Sequence, residues 1–192
     1  MAEIIRAEIS GFCFGVKQAI DTTEKQIGAV AGGRLFTCGP LIHNRFVTDD
    51  LKRRGVGVIS EPEEAEAKDT VIVRSHGEPR DFFRRAEAHG IRVVDATCPF
   101  VAKIHKLVWE AGAAGKTVVI VGDGAHPEVV GIRGWCSGKA VVVNSREEAE
   151  RIEESQVFLV CQTTIKKELL DEIVSVFAAK GVETEIHNTI CS

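Results

Sequence analysis

Short apolar runs rich in Val and Ile alternate along the chain with longer segments whose apolar residues recur every three or four positions. This alternation is typical of βαβ units, in which helices cover both faces of a parallel sheet. We predict strands over residues 4–9, 34–37, 57–59, 70–74, 91–94, 117–121, 140–143, 157–161 and 182–186. We predict helices between them, over residues 16–31, 44–54, 79–89, 100–114, 147–154 and 166–180. The pattern therefore predicts an α/β fold with parallel sheets.

Glycines mark the ends of several predicted helices. Four of them follow a helix directly, where the backbone commonly takes a left-handed turn: Gly55, Gly90, Gly115 and Gly181. We expect each to cap the C-terminus of its helix.

Composition narrows the class of protein. At 192 residues, with 44% hydrophobic and 27% charged positions, the chain has the make-up of a soluble globular protein with one large or two small domains. A net charge of −4 and the absence of a Lys/Arg cluster argue against a nucleic-acid partner. No apolar run approaches the roughly 20 residues that a membrane helix needs, and the first residues do not resemble a signal peptide. We therefore expect a cytoplasmic protein with no membrane partner.

The six cysteines are dispersed and form no C-x-x-C pair. This absence argues against a zinc ribbon, a thioredoxin-type redox pair and a local ferredoxin motif. Three of them, Cys13, Cys98 and Cys191, each follow a strand-like run. We interpret the other three as structural: Cys38, Cys136 and Cys161. Any metal site must then be assembled by the fold from distant parts of the chain.

The three strand-end cysteines have two possible roles. Thiolates are favoured at helix N-termini, and three of them without a fourth protein ligand suit an iron–sulfur cluster that keeps one open iron. The alternative is that they are small buried hydrophobes, which is the commonest role of a free cysteine. The pattern alone leaves both roles open.

Three histidines lie in loops that follow strands and lead into helices, namely His43, His76 and His126. A single loop histidine is usually a polar surface group. Three in equivalent loops are a candidate anion site, because imidazole N–H groups and helix N-terminal amides can together hold a diphosphate. We interpret the remaining three histidines as structural: His89, His105 and His187.

Glu128 and Thr163 are candidates for proton transfer. Glu128 stands at a predicted helix start, where an acid is favoured by the helix dipole, but beside an anionic ligand it would instead suit a proton donor. Thr163, in Gln162-Thr163-Thr164, is either part of an N-cap or a hydroxyl donor to a ligand.

Seven motifs in order along the whole chain resemble one protein family. They are Gly-Phe-Cys13-Phe-Gly-Val, Gly-Pro-Leu-Ile-His43-Asn, Arg-Ser-His76-Gly, Asp-Ala-Thr-Cys98-Pro, His126-Pro-Glu128-Val, Gln-Thr163-Thr164 and Asn-Thr-Ile-Cys191. Together they resemble the 4-hydroxy-3-methylbut-2-enyl diphosphate reductases, also called the LytB or IspH family.

The resemblance implies repeated small parallel-sheet α/β domains around a central [4Fe–4S] cluster, with Cys13, Cys98 and Cys191 as its ligands. It implies a first domain over residues 1–97, a second over residues 98–190, and the start of a third at residues 191–192. Members of the family continue well beyond the third cysteine, so we expect two of the three domains here and an incomplete form of the enzyme.

The resemblance also implies a reaction. It is the reductive dehydroxylation of (E)-4-hydroxy-3-methylbut-2-enyl diphosphate to isopentenyl and dimethylallyl diphosphates, the last step of the methylerythritol phosphate pathway to isoprenoids. Glu128 and Thr163 would guide the proton, and His43, His76 and His126 would hold the diphosphate, with Thr163 also contacting the substrate. The expected partners are this small molecule and an electron donor such as ferredoxin or flavodoxin.

Two other classes of protein are alternative interpretations of the sequence. One is a non-catalytic α/β protein that uses the three cysteines to bind a cluster or zinc. The other is a doubly wound nucleotide-binding module, which is disfavoured because the first predicted turn, residues 11–15, has no G-x-G-x-x-G fingerprint.

Overall fold

The computed structural model describes residues 11–30 and 32–191, so the strand predicted over residues 4–9 lies outside the described residues. The described part of the chain contains eight strands: β1 (Leu35–Cys38), β2 (Val56–Ile59), β3 (Thr70–Val73), β4 (Arg92–Asp95), β5 (Val118–Val121), β6 (Ala140–Val143), β7 (Gln156–Cys161) and β8 (Glu183–Ile186). The α-helices are α1 (Phe14–Gln26), α2 (Arg45–Arg53), α3 (Arg80–Ala88), α4 (Pro99–Ala113), α5 (Pro127–Trp135), α6 (Arg146–Glu150) and α7 (Lys167–Lys180). Within the described residues, a 3₁₀ turn covers Pro62–Glu64.

These strands form two four-stranded sheets with the same order, β2-β1-β3-β4 and β6-β5-β7-β8. Every strand pair is parallel. The second sheet therefore repeats the first, and the carboxyl ends of its strands correspond one to one with those of the first. The predicted α/β class with repeated parallel sheets is confirmed.

The central strands carry continuous runs of buried, mainly β-branched residues because helices cover both faces of each sheet. All four residues of β3 and all four of β5 are buried. In the first sheet Ile72 packs in the core that includes Ala19 of α1 and Leu51 of α2, while Val71 packs in the core that includes Phe82 of α3. The second sheet is sandwiched in the same way between α7 on one face and α4 with α5 on the other.

Glycines end four helices as predicted. Their backbones lie in the left-handed region, with φ of 88° at Gly55, 67° at Gly90, 76° at Gly115 and 70° at Gly181. Other residues reach this region only at an energetic cost, which explains why these helices stop where they do.

Helix α5 was predicted only as a helix start at Glu128. The helix contains two valines and two glycines, all poor helix formers, so helix propensity alone does not predict it. The glycines serve packing: a methyl group at Gly134 would collide with Pro79, and Gly131 faces the backbone of His76 and Gly77. Tertiary contact with the start of α3 therefore decides the conformation of this segment.

One buried carboxylate ties the starts of β1 and β3 together. Asp69 is fully buried and accepts hydrogen bonds from Arg34 N at 2.7 Å, Arg34 Nη2 at 2.7 Å and Glu66 N at 2.9 Å. The side-chain hydrogen bonds from Arg34 are the main reason that the pKa of Asp69 lies well below its usual range, and the two backbone N–H groups add to the effect while burial opposes it.

We expect Asp69→Asn to destabilise the fold by about 2 kcal/mol at pH 7, since a buried, charge-assisted hydrogen-bond set is weakened. Because the folded pKa of Asp69 is lowered, its stabilisation is present above the unfolded pKa of about 3.9 and is lost as the pH falls below that value. Urea unfolding at pH 7 and pH 3 measures both effects. Glu66→Gln, at the exposed partner of Arg34, is the control, and equal losses in the two variants would contradict the prediction.

Candidate functional site

The repeated sheets bring equivalent loops to the carboxyl edges of their strands, where ligands bind in parallel α/β proteins. The loop after β1 leads through His43 to α2, and the loop after β5 leads through His126 to α5. Each of the two histidines lies five residues beyond the end of its strand. Asn44 caps α2 by accepting from Val47 N, and His126 itself caps α5.

Three imidazoles meet at this edge and are called the histidine triad: His43, His76 and His126. Their ring centroids lie 4.6 Å apart for His43 and His76, 5.8 Å for His43 and His126, and 5.5 Å for His76 and His126. One nitrogen from each ring lies within 4.8 Å of the others. His43 is exposed and the other two are half-buried. The three loops that the sequence singled out therefore converge.

A backbone hydrogen bond assigns the tautomer of His126. Its Nδ1 accepts from Glu128 N at 3.2 Å, so Nδ1 carries no proton. In the neutral ring the proton must then be on Nε2. His126 therefore presents an N–H donor at the atom that points away from the helix it caps.

His76 is the most shielded member of the triad. Burial, followed by the nearby positive groups of His43, Arg74 and His126, lowers the pKa of His76 to about 4. Its Nδ1 is shielded from solvent and has no hydrogen-bond partner within the described residues. At neutral pH the ring is uncharged and keeps one nitrogen as a donor and the other as an acceptor.

The hydrogen bonding of the triad favours an anion over a metal ion. Histidines that bind a metal through one nitrogen nearly always donate the other N–H to a carboxylate or a carbonyl. None of the three imidazoles makes such a bond to any described residue, and His126 accepts at Nδ1 where a ligating ring would donate. Imidazole N–H donors beside the N-termini of α2 and α5 instead suit phosphate oxygens.

Glu128 and Thr163 form a buried pair 35 positions apart in the sequence. Glu128 is 2% exposed and Thr163 is 7% exposed. Glu128 Oε1 accepts from Thr163 N at 2.6 Å, and Oε2 accepts from Thr163 Oγ1 at 2.8 Å. Thr163 is not an N-cap, because α7 begins at Lys167 and Lys166 occupies its N-cap position. The carboxylate is thus held in one orientation with a hydroxyl on its second oxygen.

Two of the three candidate cluster cysteines, Cys13 and Cys98, lie at the starts of helices. Cys13 is the N-cap residue of α1, and Cys98 is the N-cap residue of α4. Cys98 and Cys191 are also equivalent in the repeat, because Cys98 N donates to Ser75 O at 3.0 Å and Cys191 N donates to Thr163 O at 2.8 Å. Both acceptors lie two residues beyond the central strands β3 and β7.

Close packing brings these cysteines to one region. A methyl group at Gly15 would collide with Cys98 Sγ, so the start of α1 reaches Cys98 only because residue 15 is a glycine. Burial raises the pKa of the Cys191 thiol, and the charges of Cys98, Cys13 and Glu128 raise it further. Cys191 N donates to Thr163 O, and Thr163 Oγ1 donates to Glu128, so the third cysteine lies beside the carboxylate–hydroxyl pair.

The donor set fits an iron–sulfur cluster. The three cysteines are free thiols, and two of them lie at helix N-termini, where the thiolate that binds iron is favoured. Three protein ligands leave one iron of a four-iron cluster without a cysteine. The other cysteines pack elsewhere: Cys38 and Cys161 are buried in the cores, and Cys136 lies near Lys139 O.

Comparison with known proteins identifies the family of this chain. The profile of the LytB protein family matches residues 4–192. The chain belongs to the LytB family.

Relatives of this LytB chain include the 4-hydroxy-3-methylbut-2-enyl diphosphate reductases of Caldanaerobacter subterraneus, 43% identical over 99% of this chain and 67% of the relative, and of Aquifex aeolicus, 40% identical over 100% and 67%. A solved (E)-4-hydroxy-3-methyl-but-2-enyl diphosphate reductase, described as the terminal enzyme of the non-mevalonate pathway, has a TM-score of 0.87 at 40% identity and covers 100% of this chain and 69% of its own. The reductase of Plasmodium falciparum has a TM-score of 0.87 at 25% identity, over 94% of this chain and 58% of its own. The resemblance drawn from the seven motifs is confirmed.

Two charged residues beside the histidine triad were not predicted from the sequence. Arg74 and Glu78 flank His76, and Arg74 Nε donates to Glu78 Oε1 at 2.7 Å. Opposite charges four residues apart across Ser-His-Gly are the signal that could have found them. Separately, no described helix is long and apolar enough to cross a membrane.

Proposed function

We propose that this LytB chain is an iron–sulfur oxidoreductase that converts (E)-4-hydroxy-3-methylbut-2-enyl diphosphate into isopentenyl and dimethylallyl diphosphates. This is the last step of the methylerythritol phosphate pathway. The observation that carries the proposal is the meeting of a histidine triad, a buried carboxylate–hydroxyl pair and three free thiols at one edge of two repeated sheets. Relatives at about 40% identity are named as the reductase of this substrate.

The histidine triad would bind the diphosphate. His126 Nε2–H is oriented by the cap hydrogen bond, and neutral His76 adds a second N–H donor. The N-termini of α2 and α5 add a favourable dipole. His43 is the exposed member and would close the solvent side of the subsite.

The three cysteines would hold a [4Fe–4S] cluster. When bound, the cluster would supply two electrons in single steps and a Lewis-acidic iron. The electrons would come from a small redox protein such as ferredoxin or flavodoxin. Cys13 and Cys98 would bind iron from helix N-termini, and Cys191 from the loop beyond β8.

Glu128 and Thr163 would deliver a proton to the leaving hydroxyl. Loss of the hydroxyl as water consumes two electrons and two protons in all, so an acid must lie beside it. A protonated Glu128 could pass its proton to Thr163 Oγ1 while Thr163 gives its own to the substrate oxygen. Their burial would keep bulk water from competing with this transfer.

The repeat suggests a division of the chain. We propose a first domain over residues 1–97 and a second over residues 98–190, since the second sheet begins its helix–strand order at Cys98. A cytoplasmic location and the lack of a nucleic-acid partner stay predictions from composition.

The direct test is turnover. The chain is reconstituted anaerobically with iron and sulfide, reduced with dithionite and methyl viologen, and supplied with the hydroxylated diphosphate. We expect both five-carbon diphosphate products by mass spectrometry. A cluster-loaded chain that binds the substrate and yields neither product would contradict the proposal.

We expect His126→Asn to weaken binding of inorganic diphosphate about tenfold or more, because a hydrogen bond to a charged group contributes about 1.5–3 kcal/mol. Asparagine keeps the N-cap of α5, but its amide N–H lies closer to the backbone and does not reach the position of His126 Nε2. Isothermal titration calorimetry measures the affinity, and circular dichroism checks the helix. His89→Asn, at an exposed histidine, is the control, and equal affinities for the two variants would count against the triad.

A further inference from the structure

We propose that the ion pair of Arg74 and Glu78 positions the histidine triad, holding its three loops at the spacing that a diphosphate group requires. This inference rests on the diphosphate site proposed above and assigns to these two residues a positioning role.

The pair closes the loop that carries His76. Arg74 is the first residue after β3, and its Nε lies 2.7 Å from Glu78 Oε1, with the two side chains 18% and 8% exposed. The main chain makes a turn inside this bridge, since Gly77 N donates to Arg74 O at 3.0 Å and Gly77 has φ of 75°. His76 therefore projects from a loop closed by both its backbone and its flanking side chains.

Arg74 also contacts the loop that carries His43. A methyl group at Gly39 would lie 2.7 Å from Arg74 Nη1, and Gly39 has φ of 63°. Gly39 is the first residue after β1 and begins the loop to His43. The guanidinium thus fills the space between two triad loops, and the absence of a side chain at Gly39 makes that contact possible.

Glu78 connects the same loop to the third histidine. Its backbone oxygen accepts from Trp135 Nε1 at 2.9 Å, and Trp135 is the last residue of α5. His126 caps the other end of that helix. A nine-residue helix is stiff on this scale, so the Glu78 segment, the helix and His126 move together.

The ion pair of Arg74 and Glu78 contributes more to the position of the two side chains than to the stability of the fold. Desolvation makes a buried ion pair a weak source of stability, whereas its directional hydrogen bond fixes the relative position of the two groups. Burial raises the pKa of Glu78, while Arg74 opposes that shift. A desolvated carboxylate thus lies next to the proposed anion subsite, where its negative charge weakens the binding of an anion. The orientation that Glu78 imposes on Arg74 offsets this effect.

Affinity for inorganic diphosphate, measured by calorimetry, tests the proposal. We expect Glu78→Gln and Arg74→Met each to weaken binding about tenfold or more, and Arg74→Lys to recover part of the loss. Arg146→Met is the matched control, because Arg146 and Glu150 form an exposed pair with the same spacing, and it should bind as the parent does. Far-ultraviolet circular dichroism confirms folding in each case.

The Glu78→Gln variant separates positioning from charge. It removes a negative charge near a bound anion, so a purely electrostatic role would tighten diphosphate binding, and unchanged or tighter binding overturns the proposal. Proton NMR of the His76 ring adds a second readout: the pKa of His76 should rise in Arg74→Met, which removes one of the positive groups that lower it, with His43 and His126 as the other groups facing it. An unchanged pKa of His76 in Arg74→Met would also overturn the proposal.

The two proposals fail in different ways. If neither the parent nor Arg146→Met binds diphosphate, the proposed anion subsite is wrong and this inference falls with it. If the parent binds and the Arg74 and Glu78 variants bind equally well, the subsite stands and only the positioning role is wrong.

Discussion

Replacing Glu128 by glutamine is expected to lower turnover by about 10²- to 10⁴-fold, the range typical of a lost general acid. Glutamine has nearly the same shape and can still accept from Thr163 N, so the start of α5 should stay in place. It cannot carry a proton to Thr163 Oγ1. The loss should therefore fall on turnover and leave the affinity for diphosphate within about twofold of the parent.

Helix α7 offers a control for this prediction. Glu168 is the second residue of α7, as Glu128 is the second residue of α5, but Glu168 is exposed. Glu168→Gln should leave turnover unchanged. Single-turnover kinetics on the reduced, cluster-loaded chain separate the chemical step from product release. Parent-like turnover in Glu128→Gln would exclude this carboxylate as the required acid.

Substituting serine for any one of Cys13, Cys98 and Cys191 is expected to prevent stable incorporation of a [4Fe–4S] cluster, because a site with three protein ligands cannot lose one without exposing a second iron. The parent should retain about four iron atoms per chain after anaerobic reconstitution and desalting. Iron analysis, visible absorption and electron paramagnetic resonance of the reduced sample measure the outcome.

Cys136→Ser is the matched control, since this free cysteine lies in the loop after α5, away from the three others. It should retain the cluster and its spectrum. Full iron content in Cys13→Ser or Cys98→Ser would contradict the ligand set. Tight zinc binding with no iron in the parent would instead support the alternative of a structural zinc protein.

Local pattern was sufficient to locate most elements of this fold. The buried residues of β3 and of β5 are contiguous in the sequence, so the pattern shows them directly. Four helix ends are predicted by a glycine, whose preference for a left-handed backbone is local: Gly55, Gly90, Gly115 and Gly181. Helix α5 was the exception, because Gly131 and Gly134 favour a helix only once their neighbours in space are present.

The sequence predicted which residues gather at the site but not the contacts between them. His43 and His126 stand at equivalent loop positions, which the order of motifs indicates. The pairing of Glu128 with Thr163 and the contact of Gly15 with Cys98 depend on how two distant segments meet. Arg74 and Glu78 were missed for the same reason, since two charges in a loop become a buried pair only in the folded chain.

The imidazole of His126 both caps α5 at Nδ1 and presents a donor at Nε2. Among the twenty side chains, no other carries an acceptor and a donor on opposite sides of one small rigid ring. Aspartate would keep the helix start and lose the donor, and asparagine would keep the helix start but hold its amide N–H closer to the backbone than Nε2. Arginine or lysine would supply a donor and leave the helix uncapped. Helix stability and anion recognition are therefore coupled at this position, because the unprotonated Nδ1 that caps the helix requires the proton of the neutral ring to be on Nε2.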